Sequence, residues 1–125
     1  MTPNKYQKEA HKTSKYSGAL IVNESDSKVG VGDYVYPALG LAEEAGEVVG
    51  KFAKAVRDES GIISDERKEA IIKELGDVCW FIAELCTAIG CDMESVMETN
   101  IKKLKERYPE GFEEEKSLHR KEGDI

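Results

Sequence analysis

The chain has 125 residues, 40% hydrophobic and 34% charged, with a formal net charge of −7 and a pI of about 4.9. That length suits one domain, residues 1–125, built on a single core. The acidic balance excludes a general nucleic-acid-polymer binder, which needs clustered Lys and Arg, but leaves small phosphate ligands open if divalent cations bridge them.

Aromatic and proline content is low and strand-like alternation scarce, which predicts an all-α fold: a bundle of four to five helices. At this size a helical domain often shares its core with a second subunit, so a dimer or dimer of dimers is expected. Cys79, Cys86 and Cys91 form no C-x-x-C pair and no zinc-spaced cluster. They read as small buried hydrophobes in a reducing compartment, with Cys79 and Cys86 on one helix face. The polar N-terminus lacks a signal-like apolar run. The most apolar stretch, Val78 to Ile89, is too short for a membrane span and carries Glu84. A cytoplasmic location without membrane contact follows as an expectation.

In chain order, residues 3–16 suit a short helix, with Thr2 as N-cap and Pro3 at the first helical position. Residues 17–35 read as irregular, with Gly18, Gly30, Gly32 and an Asn/Ser/Asp cluster. From Pro37 to about Asp58, the apolar residues Leu41, Ala45, Val48, Phe52 and Ala55 recur at helical steps. Residues 59–64, with Gly61, form a break. Asp65 is positioned to cap a third helix running to about Ile89, with Gly90 in a left-handed terminal role. Asp92 caps a fourth helix reaching about Tyr108, which Pro109 and Gly111 stop. The charged tail from 112 onward needs something to dock on.

The second and third long helices carry paired acids. Glu44 and Glu47 lie three apart on one side of the second, and Glu74 and Asp77 repeat the spacing on the third. Packed antiparallel, the two helices bring four carboxylates face to face. A lone E-x-x-E is usually a solvated edge, but two features point further. Asp77 sits in Leu75-Gly76-Asp77-Val78-Cys79-Trp80-Phe81-Ile82-Ala83, apolar nearly all round, and is expected to be at least half buried. Gly46 and Gly76 stand beside the acids inside helices, each costing roughly 1 kcal/mol against Ala, as though a backbone or ligand comes close. Carboxylates without His or Cys suit Mg²⁺, or Mn²⁺ as a substitute, better than zinc.

The segments GLAEEAGEVVGKFAKAVRD, ELGDVCWFIAELCTAIG and NIKKLKERYPEGF resemble the MazG-type nucleoside triphosphate pyrophosphohydrolases of the all-α NTP pyrophosphatase superfamily. The likeness runs from about Tyr36 to Phe112, and residues 1–35 match only loosely. It implies that Glu44, Glu47, Glu74 and Asp77 bind Mg²⁺ and that an NTP or dNTP is cleaved between its α and β phosphates to a monophosphate and pyrophosphate. Some relatives carry glycine where this chain has Glu43, which sets Glu43 behind the ligands. Glu43 or Glu44 is then the candidate proton acceptor for the attacking water. Asn100, Lys103 and Arg107 share a face of the fourth helix and suit phosphate and ribose contacts. Lys51 and Lys54 lie near the acidic edge, to pair with the acids or reach phosphate. Candidates for the base pocket are Gln7, His11, Tyr34, Tyr36 and Trp80, each more often core or surface than ligand. His119 receives no role.

A di-iron bundle needs Glu-x-x-His pairs, and neither His11 nor His119 has a Glu three residues before it. A P-loop is excluded because Gly46-Glu47-Val48-Val49-Gly50-Lys51-Phe52 is one residue short, lacks the final Ser/Thr and lies within a helix. The remaining rival is a non-catalytic helical nucleotide-binding or interaction protein.

Overall fold

In a computed structural model, residues 1–15, 20–22, 28–30 and 32–123 are described, with side chains given outside 16–33. Five helices occur among them: α1 (Pro3–His11), α2 (Gly32–Asp58), α3 (Asp65–Ile89), α4 (Met93–Arg107) and α5 (Glu114–Leu118). The helical class matches expectation. The segment read as wholly irregular instead contains two short strands, β1 (Leu20–Val22) and β2 (Lys28–Gly30), paired antiparallel with Leu20 opposite Gly30. Residues 17–19, 23–27 and 31 lie outside the described set.

Helix boundaries follow local chemistry, with three corrections. The α1 N-cap is Thr2, whose hydroxyl accepts from Lys5 N at 3.1 Å. The helix closes at His11 rather than 16, because successive three-residue bonds, Lys12 N to Glu9 O and Thr13 N to Ala10 O, tighten its end. α2 begins at Gly32, enclosing the fully buried Pro37 in its second turn rather than starting at it. Ser64, not Asp65, caps α3: its hydroxyl accepts from Arg67 N at 3.1 Å, and Asp65 falls in the first turn, where its charge complements the helix dipole.

The two remaining caps are as expected. Gly90 ends α3 at φ 78°, with Cys91 N bonded to Cys86 O and Gly90 N to Thr87 O. Asp92 caps α4 through Ser95 N at 2.9 Å.

α2 and α3 form an antiparallel hairpin, closed by a turn in which Ser60 and Gly61 take positive φ. Arg67 grips Glu59 across it through two bonds of 3.1 and 2.6 Å. The core lies where α1, α3 and α4 meet: Ala10, Ala83, Cys86 and Met93, with Tyr6, Trp80, Ile82 and Cys91 packed around them. Cys86 is buried as expected, whereas Cys79, one turn pair earlier, is exposed. Polar bonds fasten α1 to the start of α4. Gln7 Nε2 donates to Cys91 O and Thr87 Oγ1, and Gln7 Oε1 accepts from Met93 N at 2.9 Å. Asn4 makes a reciprocal pair with the Glu94 backbone and carboxylate.

Much apolar surface stays uncovered. Val49, Phe52 and Val56 form a stripe on α2, Ile72 and Leu75 a patch on α3, and Met97, Ile101 and Leu104 a stripe on α4. No described helix is long and apolar enough to cross a membrane.

Candidate metal and nucleotide site

The antiparallel hairpin sets Glu44 of α2 opposite Glu74 and Asp77 of α3. One carboxylate oxygen from each lies within 4.8 Å of the others. Glu44 and Glu74 are half-buried, but Asp77 is exposed, against expectation. Ile72 and Leu75 are exposed too, on another side of α3. An apolar run marks a surface that seeks cover, and one copy of the chain does not cover this part of α3.

Repulsion is visible in the cluster. The Glu44 carboxyl is pushed above the ordinary glutamate range, by partial burial first and then by Asp77, Glu74, Glu43 and Glu47. On the other side of the cluster Lys51 Nζ sits 2.9 Å from Glu74 Oε1 and neutralises part of the charge. Three converging carboxylates with no His or Cys in the group form a hard-oxygen donor set, which fits a cation such as Mg²⁺ or Mn²⁺. Glu47 and Glu43 are exposed and stand outside the group, bearing on Glu44 through charge.

At the two helix glycines, no other described part of this chain makes the close approach. A Cβ built at Gly46 or Gly76 meets nothing within 4 Å. The tight glycine is Gly40, where a Cβ would enter the ring of Phe81. Tyr6, which sequence reasoning missed, reaches the cluster from α1. Its hydroxyl donates to Gly76 O at 3.4 Å, and its phenol is held above the usual range by burial, then by Cys79 and Asp77. The one signal was its place four residues before Ala10 on the inner face of α1.

Of the base-pocket candidates, Gln7 is buried with its amide committed to the α1–α4 joint. Trp80 is half-buried, donating from Nε1 to Thr13 Oγ1 at 2.8 Å and packing edge-on against Phe81. Tyr36 meets the same ring at 5.9 Å, and Tyr34 is exposed. His11 Nδ1 lies 3.2 Å from both oxygens of Glu84, a carboxylate only 1% exposed. Lys54 is exposed and acts on Asp58 rather than on the cluster. Lys103 and Arg107 line a cavity of about 680 Å³ that shares no residue with the acidic group; Asn100 is exposed and outside its lining.

Residues 37–112 match the MazG nucleotide pyrophosphohydrolase domain. The chain is 36% identical over 106 residues to the gene 37 protein of Mycobacterium phage L5, covering 85% of this chain and 88% of that one. It is 38% identical over 77 residues to the uncharacterized protein YvdC of Bacillus subtilis strain 168, covering 54% and 69%. No solved structure matches. The chain belongs to the MazG nucleotide pyrophosphohydrolase family, whose members are metal-dependent hydrolases acting on nucleotides.

Proposed function

We propose that this chain hydrolyses nucleoside or deoxynucleoside triphosphates between the α and β phosphates, yielding a nucleoside monophosphate and pyrophosphate, with Mg²⁺ as cofactor. The convergence of Glu44, Glu74 and Asp77 within 4.8 Å, inside the family-matched segment, carries this reading. Glu47, one turn along α2 and outside the converging three in this chain, is the further ligand that the family likeness suggests. When bound, the cation neutralises the triphosphate and makes water a better nucleophile.

The chain's own groups do the rest. Glu43, or an oxygen of Glu44 that the cation leaves free, is the proposed acceptor for the proton of the attacking water. Lys51 offsets Glu74, and the exposed Lys54, one turn further on, is a candidate phosphate contact. Lys103 and Arg107, with Asn100 on the same helix, supply cationic contacts for phosphate. Trp80 remains a candidate for a base contact through its ring face, whereas the committed amide of Gln7 favours a structural role.

The uncovered stripes on α2, α3 and α4 support assembly as a dimer or dimer of dimers. The functional setting is cytoplasmic nucleotide-pool cleaning or supply. A panel of standard and modified NTPs and dNTPs, assayed with Mg²⁺ for pyrophosphate release, tests the reaction. Orthophosphate release would place the scissile bond elsewhere, and binding without turnover would reduce the protein to a nucleotide-binding module. Sedimentation measures the assembly; a monomer at micromolar concentration sinks that part.

A further inference from the structure

Residues 113–123 lie beyond the family-matched segment, yet the fold brings them back against the end of α4. Tyr108, at the end of α4, docks them, and its neighbours hold it in place. The Tyr108 phenol is held below its usual pKa by a hydrogen bond with Ser117 on α5, then by Arg107 and Arg120. Tyr108 also packs on Phe112 with ring centroids 5.2 Å apart, and the Arg107 guanidinium lies 5.7 Å over the Tyr108 ring.

The result is the cavity of about 680 Å³ already described, large enough for a phosphate chain. Lys103 and Arg107 enter it from α4, and Lys116, His119 and Lys121 from α5 and the segment after it. Among the described residues, the carboxylates that line it are Glu106 and Glu122. Setting His119 aside, four cations face two anions among the described lining residues, in a chain whose net charge is −7. A concave positive excess on an acidic protein runs against its overall field and focuses anions. Lys116 is paired with Glu113 at 3.2 Å, but both side chains are more than 40% exposed. So exposed a pair is weak, and a multivalent phosphate can exchange for the carboxylate.

We propose that this groove is a polyphosphate site, in which Lys116, His119 and Lys121 of the C-terminal segment complete what Lys103 and Arg107 begin. The ligand is the chemistry shared by the triphosphate tail of a nucleotide and free pyrophosphate. The choice of polyphosphate rests on the pyrophosphohydrolase reading, whereas the cationic groove does not depend on turnover.

Calorimetric titration of inorganic pyrophosphate into the full chain, with chelator present to remove divalent ions, tests the groove. The Lys116→Ala/Lys121→Ala variant is expected to bind about tenfold more weakly. A charge-matched control, Lys102→Ala/Lys105→Ala, removes two lysines of α4 outside the cavity lining and should change affinity by less than about twofold. Lys116→Arg/Lys121→Arg should retain binding. No binding by the wild-type chain, or equal weakening in the tail and control variants, overturns the proposal. In a second arm, an α,β-methylene triphosphate analogue that displaces pyrophosphate marks the groove as the seat of the substrate tail. Simultaneous binding of both, still sensitive to the tail lysines, marks a separate pyrophosphate site; both outcomes support the groove. A chain that binds pyrophosphate through these lysines but cleaves no nucleotide keeps the groove and loses the enzymatic reading.

Discussion

Lys51 Nζ lies 2.9 Å from Glu74 Oε1, and the two side chains are only 21% and 18% exposed. This lysine occupies, in part, the electrostatic role of a metal ion. Lys51→Met should destabilise the metal-free protein by about 1 kcal/mol, the upper range for a partly screened pair. It should also enlarge the rise in melting temperature on adding Mg²⁺, because Glu74 is released to the cation. A rise equal to or smaller than that of the wild type would show that Lys51 does not compete for the site.

Glu44 links the cluster to pH. A carboxyl whose folded pKa exceeds its unfolded value holds its proton more tightly in the fold, so its charged form costs stability as pH rises through the folded value. Without metal, Glu44→Gln should therefore melt higher than the wild type at pH 7. The gap should close as pH falls through the region just above the ordinary glutamate value of about 4.3. Asp58, Glu59 and Asp92 have depressed values and lose their contribution at lower pH, leaving that window to Glu44. With Mg²⁺ the order at pH 7 should reverse. A pH-independent gap between the two proteins would contradict this account.

Gln7→Ala removes an amide that bonds Cys91 O, Thr87 Oγ1 and Met93 N. Leaving such buried partners unmet costs about 1–3 kcal/mol. Denaturant unfolding should show that loss, with KM for every nucleotide unchanged in the surviving folded enzyme. A base-selective rise in KM with unchanged stability would return Gln7 to the nucleotide pocket.

Gly40→Ala drives a methyl into the ring of Phe81, an overpacking that costs about 1–3 kcal/mol. In a Phe81→Leu background the same change should cost less. Gly46→Ala and Gly76→Ala meet open space within the chain and should each stabilise a monomer by up to about 1 kcal/mol. If either instead disrupts the assembled protein, a second copy passes close to that glycine.

The convergence of the acids was easier to read from the sequence than their surroundings. Glu44, Glu74 and Asp77 were legible because three-residue spacing on two helices joined by a short turn leaves few ways to arrange them. The exposure of Asp77 was not, since periodicity identifies an apolar face without saying what covers it. Gly40 and Gly46 look alike in sequence; only the tertiary approach of Phe81 separates them. The commitment of Gln7 depends on partners 80 to 86 residues away, beyond any local pattern. The tail lysines read as a charged end because nothing in their spacing reveals the dock on Tyr108.

The α1–α4 joint bears on the order of assembly. The α2–α3 hairpin is closed by a short turn and the Glu59–Arg67 clamp, so its contacts are local and quick to form. Asn4 and Gln7 must instead find Glu94 and Met93 across nearly the whole chain, a slow loop closure. The acidic cluster therefore belongs to the part that assembles first, and α1 arrives afterward as a seal. Pulsed hydrogen exchange during refolding should protect α3 amides before those of α1. Simultaneous protection of both would mean that the bundle condenses as one unit.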